Sequence, residues 1–150
     1  MAVIETVTAT AALAEVDELL WRVLWQPLGL PPDARGRFGI DGKEIVLAAR
    51  ERGKLVGGLV AVWTSRTEIE LRHLAVAPEA QGKGIGRSLA AALSGIVAAK
   101  KGRRIHTIAR STSAGFFRRL GFQTAPGQAP EHPVFLAHSI TFELMEKIVD

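Results

Sequence analysis

The chain has 150 residues, 47% hydrophobic and 23% charged, with a formal net charge of +4. That length suits one domain spanning residues 1–150 with a sizeable core, and the ordinary composition is that of a globular protein rather than a disordered or fibrous one. The absence of cysteine excludes disulfides, thiolate metal sites and a cysteine nucleophile.

The opening M-A-V-I-E-T-V lacks a basic segment followed by an apolar one, so no secretory signal is expected. No apolar run reaches the roughly 18 residues of a membrane span, and a cytoplasmic location is the default expectation. Val3 to Val7 reads as a first strand. Thr8 and Thr10 are each able to cap a following helix, whose apolar face is Leu13, Val16, Leu20, Val23 and Leu24, with Trp21 and Trp25 beside it. Pro27, Pro31 and Pro32 end that helix, and Asp33 to Gly42 reads as a polar, glycine-rich loop.

Glu44 to Arg50 and Leu55 to Thr64 are strand-like and are joined by the hairpin signal Glu51-Arg52-Gly53-Lys54. Gly57 and Gly58 inside the second run predict a bulge or a close backbone approach. Glu68 to Val76 is the third of three consecutive antiparallel strands, and Pro78 stops it.

Glycines then stand at 82, 84 and 86, and from Ile85 the apolar residues recur at 85, 89, 93 and 96/97, one buried helix face. Strand, glycine loop and helix in that order suit an anionic phosphate. The first N–H groups of a helix lack partners and carry partial positive charge, and glycine lets the backbone approach a ligand closely. Lys83 and Arg87 add positive charge on either side. The plainer alternative is a turn that only connects two elements. The G-x-x-x-x-G-K-[ST] nucleotide loop does not fit, because Gly84 follows Lys83, and the G-x-G-x-x-G dinucleotide pattern has its third glycine one position early.

Beyond the helix, Arg104 to Ala109 is a short strand. Ser111 or Thr112 is placed to cap a helix bearing Ala114, Phe116, Phe117 and Leu120, with Gly121 as its terminator. Phe122 begins another strand, Ala125 to Pro133 is proline-rich, and Ser139 to Val149 closes as a strand alternating through Ile140, Phe142, Leu144 and Ile148.

Gln81-Gly82-Lys83-Gly84-Ile85-Gly86, preceded by Leu74-Ala75-Val76-Ala77-Pro78, resembles the pyrophosphate loop of the GNAT-superfamily N-acetyltransferases, a [QR]-x-x-G-x-[GA] pattern. Ala114 to Phe122 is similar to the family's A-x-x-F-Y-x-x-L-G-F segment, at the right separation and in the right order. The resemblance runs over essentially the full length. It implies an α/β (α+β) GNAT fold: a mixed central sheet with antiparallel N-terminal strands, helices on both faces, and the order β-α-β-β-β-α-β-α-β-β. It also implies transfer of an acetyl group from acetyl-CoA to a small-molecule amine or a protein amino group, by direct attack in a ternary complex, with no metal.

Carried over residue by residue, the coenzyme would be held by Gln81, Gly82, Lys83, Gly84, Ile85, Gly86, Arg87 and Ser88, and by backbone groups of Leu74, Ala75 and Val76. Glu70, eleven residues before Gln81, stands where histone-type members carry a glutamate base. Glu68 on the same face, or a chain of waters, is the alternative, and so is an ion pair with Arg72. Where the family often has a tyrosine acid this chain has Phe117, and it contains no tyrosine at all. Phe117 is expected to pack against the coenzyme or the core, and the missing acid leaves a non-catalytic acyl-CoA-binding module as an alternative. None of the four histidines shows metal-ligand spacing, and His138 is the first to test. His73 lies on the face opposite Glu70 unless a bulge reverses it. The acceptor region implied is Trp21 to Gly42 with Gln123 to Ser139, where Trp21, Trp25 and Phe38 are candidates for an apolar pocket. Basic clusters at Lys100, Lys101, Arg103 and Arg104 and at Arg118-Arg119 fit solvated loops better than a nucleic-acid surface, because aromatic residues are sparse among them. A homodimer is compatible with such a chain.

Overall fold

In a computed structural model, residues 2–37 and 42–149 are described. Seven strands form one sheet in the order β1-β2-β3-β4-β5-β7-β6: β1 (Val3–Thr6), β2 (Glu44–Glu51), β3 (Lys54–Trp63), β4 (Glu68–Val76), β5 (Arg104–Arg110), β6 (Gln123–Thr124) and β7 (Phe142–Ile148). Among the described residues only the β4–β5 pair is parallel; every other neighbour is antiparallel. The β2–β3 hairpin turns at Arg52 and Gly53, both at positive φ (52° and 81°), the geometry that matches the twist of paired strands.

Two adjacent glycines set the layers. A Cβ on Gly58 would stand 2.9 Å from Val16 in α1 (Thr10–Leu20), and one on Gly57 would stand 3.0 Å from Ile85 in α3 (Ile85–Ala99). Successive strand residues point to opposite faces, so α1 and α3 press on opposite faces of β3 at a distance only glycine allows. Leu89, Leu93 and Val97 of α3 are fully buried, each stabilising by about 1.5–3 kcal/mol. Val16, Leu20 and Trp25 fill the other face with Val46, Ala48 and Val60.

Local details depart from the sequence reading. The residue that starts α1 is Ala9, with no side-chain cap from Thr8 or Thr10, because pairing continues to Val7 (N–H to the Val46 carbonyl, 2.9 Å) and leaves Thr10 inside the first turn. The helix runs on as a wider π turn over Trp21–Trp25 and a 3-10 turn over Gln26–Leu28, ended by Gly29 at φ 74°. The stretch read as a loop from Asp33 contains the short helix α2 (Ala34–Arg37), and Phe38 lies outside the described residues. Neither Ser111 nor Thr112 caps α4 (Ala114–Arg119). A 3-10 turn covers Ser111–Ser113, and the Ser111 hydroxyl lies 2.8 Å from that of Thr141. In β7 the residue facing the core is Met145, fully buried opposite Thr107, while Ile148 is exposed. A further helix, α5 (Pro133–Leu136), follows the proline-rich segment, its start capped by the His132 ring nitrogen accepting from the Val134 N–H.

Candidate active site

Parallel strands β4 and β5 pair only over Glu68–Leu71 and Arg104–Thr107. The buried Thr107 hydroxyl donates to the Leu71 carbonyl at 2.8 Å and marks the end of the paired section. Beyond it β4 continues to Val76 against β3, and β5 to Arg110 against β7, so the two strands part. A cleft lies on each side of the split, one of about 610 Å³ and one of about 300 Å³. Leu74, Ser113 and Phe117 line both.

The larger cleft runs along the glycine loop. Gly82 and Gly84 take φ of 81° and 80°, left-handed backbone in which a residue with a Cβ is strained. Gly84 is the residue before α3, and the first helical bond runs from the Ser88 N–H to the Gly84 carbonyl (3.0 Å). The N–H groups of Ile85, Gly86 and Arg87 therefore precede the helical ladder and are oriented along its positive end. Gly86 serves packing, because a Cβ there would stand 3.1 Å from the Phe116 ring. The cleft wall includes Leu74, Ala75, Val76, Gln81, Gly82, Gly84, Ile85, Gly86, Arg87 and Phe117. The Gln81 amide donates to the Val76 carbonyl (3.1 Å) and ties loop to strand. Two of the sequence-nominated residues stand off the wall. The Lys83 ammonium faces Glu51 at 3.8 Å, and the Ser88 hydroxyl donates to the Gly84 carbonyl.

The smaller cleft is mostly apolar and draws on distant parts of the chain, including Leu24, Trp25, Ile108, Phe135 and Phe142. Glu70 lines it, buried, with the Arg72 guanidinium 3.3 Å from its carboxylate. Glu68 does not line it; Arg104 holds that carboxylate at 3.0 Å and Glu146 at 2.7 Å. A bulge brings His73 round. Val60 pairs with His73 and Ala61 with Leu71, so Arg72 is the extra residue and His73 shares the face of Glu70. His73 packs edge-on against Trp25 at 4.9 Å. Burial, helped by the charges of Arg72, Arg35 and Arg110, pushes its pKa down to about 3, so it is neutral at physiological pH. His106, beside Glu70 across the parallel pair, is also lowered by burial, and its Nε2 lies 3.2 Å from the Thr64 hydroxyl.

Sequence reasoning missed Arg110 and Ser113, which belong to no motif and reach the clefts only because β5 and the turn after it end there. His132 rather than His138 lines the smaller cleft; His138 is exposed. Of the three candidate aromatics, Trp25 lines the cleft, whereas the Trp21 indole N–H donates to the Leu30 carbonyl at 2.8 Å and Trp21 lines neither cleft. Among the described residues no cluster of His, Asp and Glu is arranged to hold a metal, and no helix is long and apolar enough to cross a membrane.

Comparison with known proteins gives a consistent result. Residues 42–124 match the family model described as an acetyltransferase (GNAT) domain. No curated protein matches the chain. Among solved structures, an aminoglycoside 6'-N-acetyltransferase complexed with coenzyme A is similar with a TM-score of 0.78 and 18% identity, over 99% of this chain and 97% of that one. The ribosomal-protein-S18-alanine N-acetyltransferase from Escherichia coli is similar with a TM-score of 0.78 and 17% identity, over 100% and 95%. The PaiA N-acetyltransferase from Thermoplasma acidophilum, in complex with coenzyme A, has a TM-score of 0.69 and 18% identity, over 99% of each chain.

Proposed function

The chain belongs to the GNAT acetyltransferase family, and from that premise we propose that it transfers an acetyl group from acetyl-CoA to an amine by direct attack in a ternary complex. The observation that carries this reading is the pair of clefts that meet at Leu74, Ser113 and Phe117 where β4 and β5 part. A donor on one side and an acceptor on the other would be held in contact at that junction, and alignment of two reactants is itself worth several kcal/mol of barrier.

On the larger side, the loop of Gly82, Gly84 and Gly86 and the leading N–H groups of α3 fit a diphosphate, with Arg87 on the wall and Lys83 adding charge beside it. Ser88 supports the site from behind, because its hydroxyl closes the first turn. Backbone groups of Leu74, Ala75 and Val76, on the strand edge that β5 has left, are available to an extended pantetheine chain. The bound thioester supplies an activated acyl group. Everything else falls to the chain: Glu70 accepts the proton of the incoming ammonium, directly or through one water, and Arg72 keeps that carboxylate in place. Phe117 packs between Phe116 and Phe122 and presents an apolar surface at the junction. A thiol with an ordinary pKa of about 8.5 leaves without an acid, so the missing tyrosine does not forbid turnover.

The test is release of free CoA from acetyl-CoA across a panel of amines, alongside coenzyme binding by calorimetry. One observation favours a second reading, a module that binds acyl-CoA without turnover. Phe117 offers no proton at the position where relatives of this type often carry tyrosine. Coenzyme binding with no acetylated amine across the panel would support that second reading. Acetylation of any amine at a rate dependent on Glu70 would discard it.

A further inference from the structure

Most arginines that pack into this protein are matched by a carboxylate. Arg35 has Asp17 and Glu44, Arg50 has Glu5 and Glu15, Arg72 has Glu70, and Arg104 has Glu68 and Glu146. Arg110 differs. It ends β5 at the smaller cleft and lines it, yet no carboxylate among the described residues pairs with it. Its partners are the Leu24 carbonyl, to which one terminal nitrogen donates at 2.7 Å, and the face of Phe135, 5.6 Å from the guanidinium carbon.

Burial alone moves its pKa, downward, with no acidic neighbour opposing the shift. A guanidinium carries five N–H donors and stays charged, so a half-buried one with a single carbonyl and a ring face has donors and charge to spare. A charge drawn partly out of water without a counter-ion carries a desolvation cost, and a ligand of opposite charge offsets it. The Leu24 carbonyl and Phe135 fix the guanidinium at the wall of the cleft. The π turn over Trp21–Trp25, which departs from regular α-helix spacing, is where that carbonyl is presented.

Resting on the reading of this cleft as the acceptor site, we propose that the acceptor is a small amine that also carries a carboxylate, an amino-acid-like molecule with an apolar side chain, whose carboxylate pairs with Arg110. Three observations converge. Glu70, the proposed proton acceptor, and Arg110, which has no carboxylate, line one cleft, so the amine and the carboxylate of one molecule each meet a group there. Trp25, Phe135 and Phe142 give the wall an aromatic part for an apolar side chain, while the exposed Glu131 and His132 stand at the same cleft. A volume of about 300 Å³ suits one small molecule. The carboxylate of an amino acid forms two parallel hydrogen bonds with a guanidinium, a fit that neither a simple amine nor an internal protein lysine offers.

The experiment compares matched acceptors that differ only at the carboxylate: L-phenylalanine with phenethylamine and phenylalaninamide, and L-leucine with isoamylamine. With acetyl-CoA as donor, kcat/KM for the acid should exceed that for its partner by roughly 10- to 150-fold, the range for a charge-assisted hydrogen bond. Arg110→Gln should collapse that ratio to within a few-fold, and Arg110→Lys should keep part of it. A loss of packing would lower acid and amine alike and leave the ratio standing. Binding is measured separately, by calorimetry of N-acetyl-L-phenylalanine and N-acetylphenethylamine to the CoA-loaded protein, so the answer does not depend on turnover. Only the acetylated acid should bind tightly, and Arg110→Gln should remove the difference. Equal use of acid and amine, equal binding, no binding of either, or a ratio indifferent to Arg110 would each overturn the proposal. Acetylation of the amines alone would do so while leaving acetyl transfer intact.

Discussion

The cleft along the glycine loop takes most of its wall from one stretch of chain, Leu74 to Arg87, whereas the cleft across the split gathers residues from Leu24 to Phe142. The first is built largely from backbone. Its polar groups include the leading N–H groups of α3 and the freed edge of β4, with Arg87 beside them, and its glycines allow the approach. The second is built from side chains, with Glu70, Arg72, His73 and Arg110 set in an apolar wall. Backbone donors do not change when side chains are substituted, so they suit recognition of a constant group such as a diphosphate. Side chains carried on separate elements can be exchanged one at a time, so they suit recognition of a variable partner.

That contrast predicts which substitutions separate binding of the donor from chemistry. Glu70→Gln keeps the shape and removes the base, and the maximal rate should fall by about 10²–10⁴-fold with donor affinity nearly unchanged. Glu68→Gln is the control, because that carboxylate is engaged with Arg104 outside the cleft. A slow Glu68 variant beside a fast Glu70 variant would transfer the role and erase the distinction drawn between the two carboxylates.

Phe117 belongs to both clefts, so its removal should damage both. It is 6% exposed and wedged between Phe116 and Phe122, and Phe117→Ala should cost roughly 3–5 kcal/mol of stability, measured by urea unfolding. Phe117→Tyr should leave turnover within a few-fold. A large rate increase in the tyrosine variant would mean that the native residue limits catalysis.

Donor binding is the next effect in size. At a free acetyl-CoA concentration 100-fold above Kd, the folded state should gain about 2.7 kcal/mol, read as a thermal shift. Gly84→Asp should remove most of that gain by adding negative charge beside the leading N–H groups. A Cβ at Gly84 meets nothing within 4 Å, so the cost without ligand is the left-handed backbone strain of about 1–2 kcal/mol. Gly86→Asp is a poorer probe, since Phe116 stands in its way. A full thermal shift in the Gly84 variant would mean that the loop does not hold the donor.

The same contrast explains what could be read in advance. The glycine loop was legible because strand, loop and helix follow one another in the chain, and periodicity placed α3 and β4 at Ile85 and Glu68–Val76. The nomination of Glu70 comes from its distance to that loop, and the structure shows it buried at the smaller cleft. Arg110 was not legible, because nothing local marks it; its place at the cleft depends on where β5 stops pairing with β4 and on a π turn some 86 residues earlier. His73 was conditional on a bulge that alternation alone does not reveal, and the bulge at Arg72 decided it. Capping was misread at both Thr10 and Ser111, since the helix starts are set by tertiary pairing at Val7 and by the Ser111–Thr141 contact.

The smallest expected effect follows from His73, and it belongs to the side-chain cleft alone. Burial against Trp25, with positive charge from Arg72, Arg35 and Arg110, holds its folded pKa near 3, against about 6.5 when the chain is unfolded. The sign follows from proton counting. Above pH 6.5 neither state binds the proton, and the stability is fully present. As pH falls below 6.5 the unfolded chain takes up a proton that the folded protein refuses, so stability declines toward pH 3. The loss should be about 1–2 kcal/mol between pH 6.5 and 5. His106, lowered by burial as well, adds a contribution of the same sign. Urea unfolding of the parent and of His73→Gln at about pH 7.5 and 5 isolates the first residue, because carboxylates titrate alike in both proteins. His73→Gln should be less stable than the parent near neutrality, where packing against Trp25 is lost, yet should lose less on acidification. Equal acid sensitivity in the two proteins would mean that His73 is solvated and free to charge, and that the side-chain cleft is wetter than its apolar wall implies.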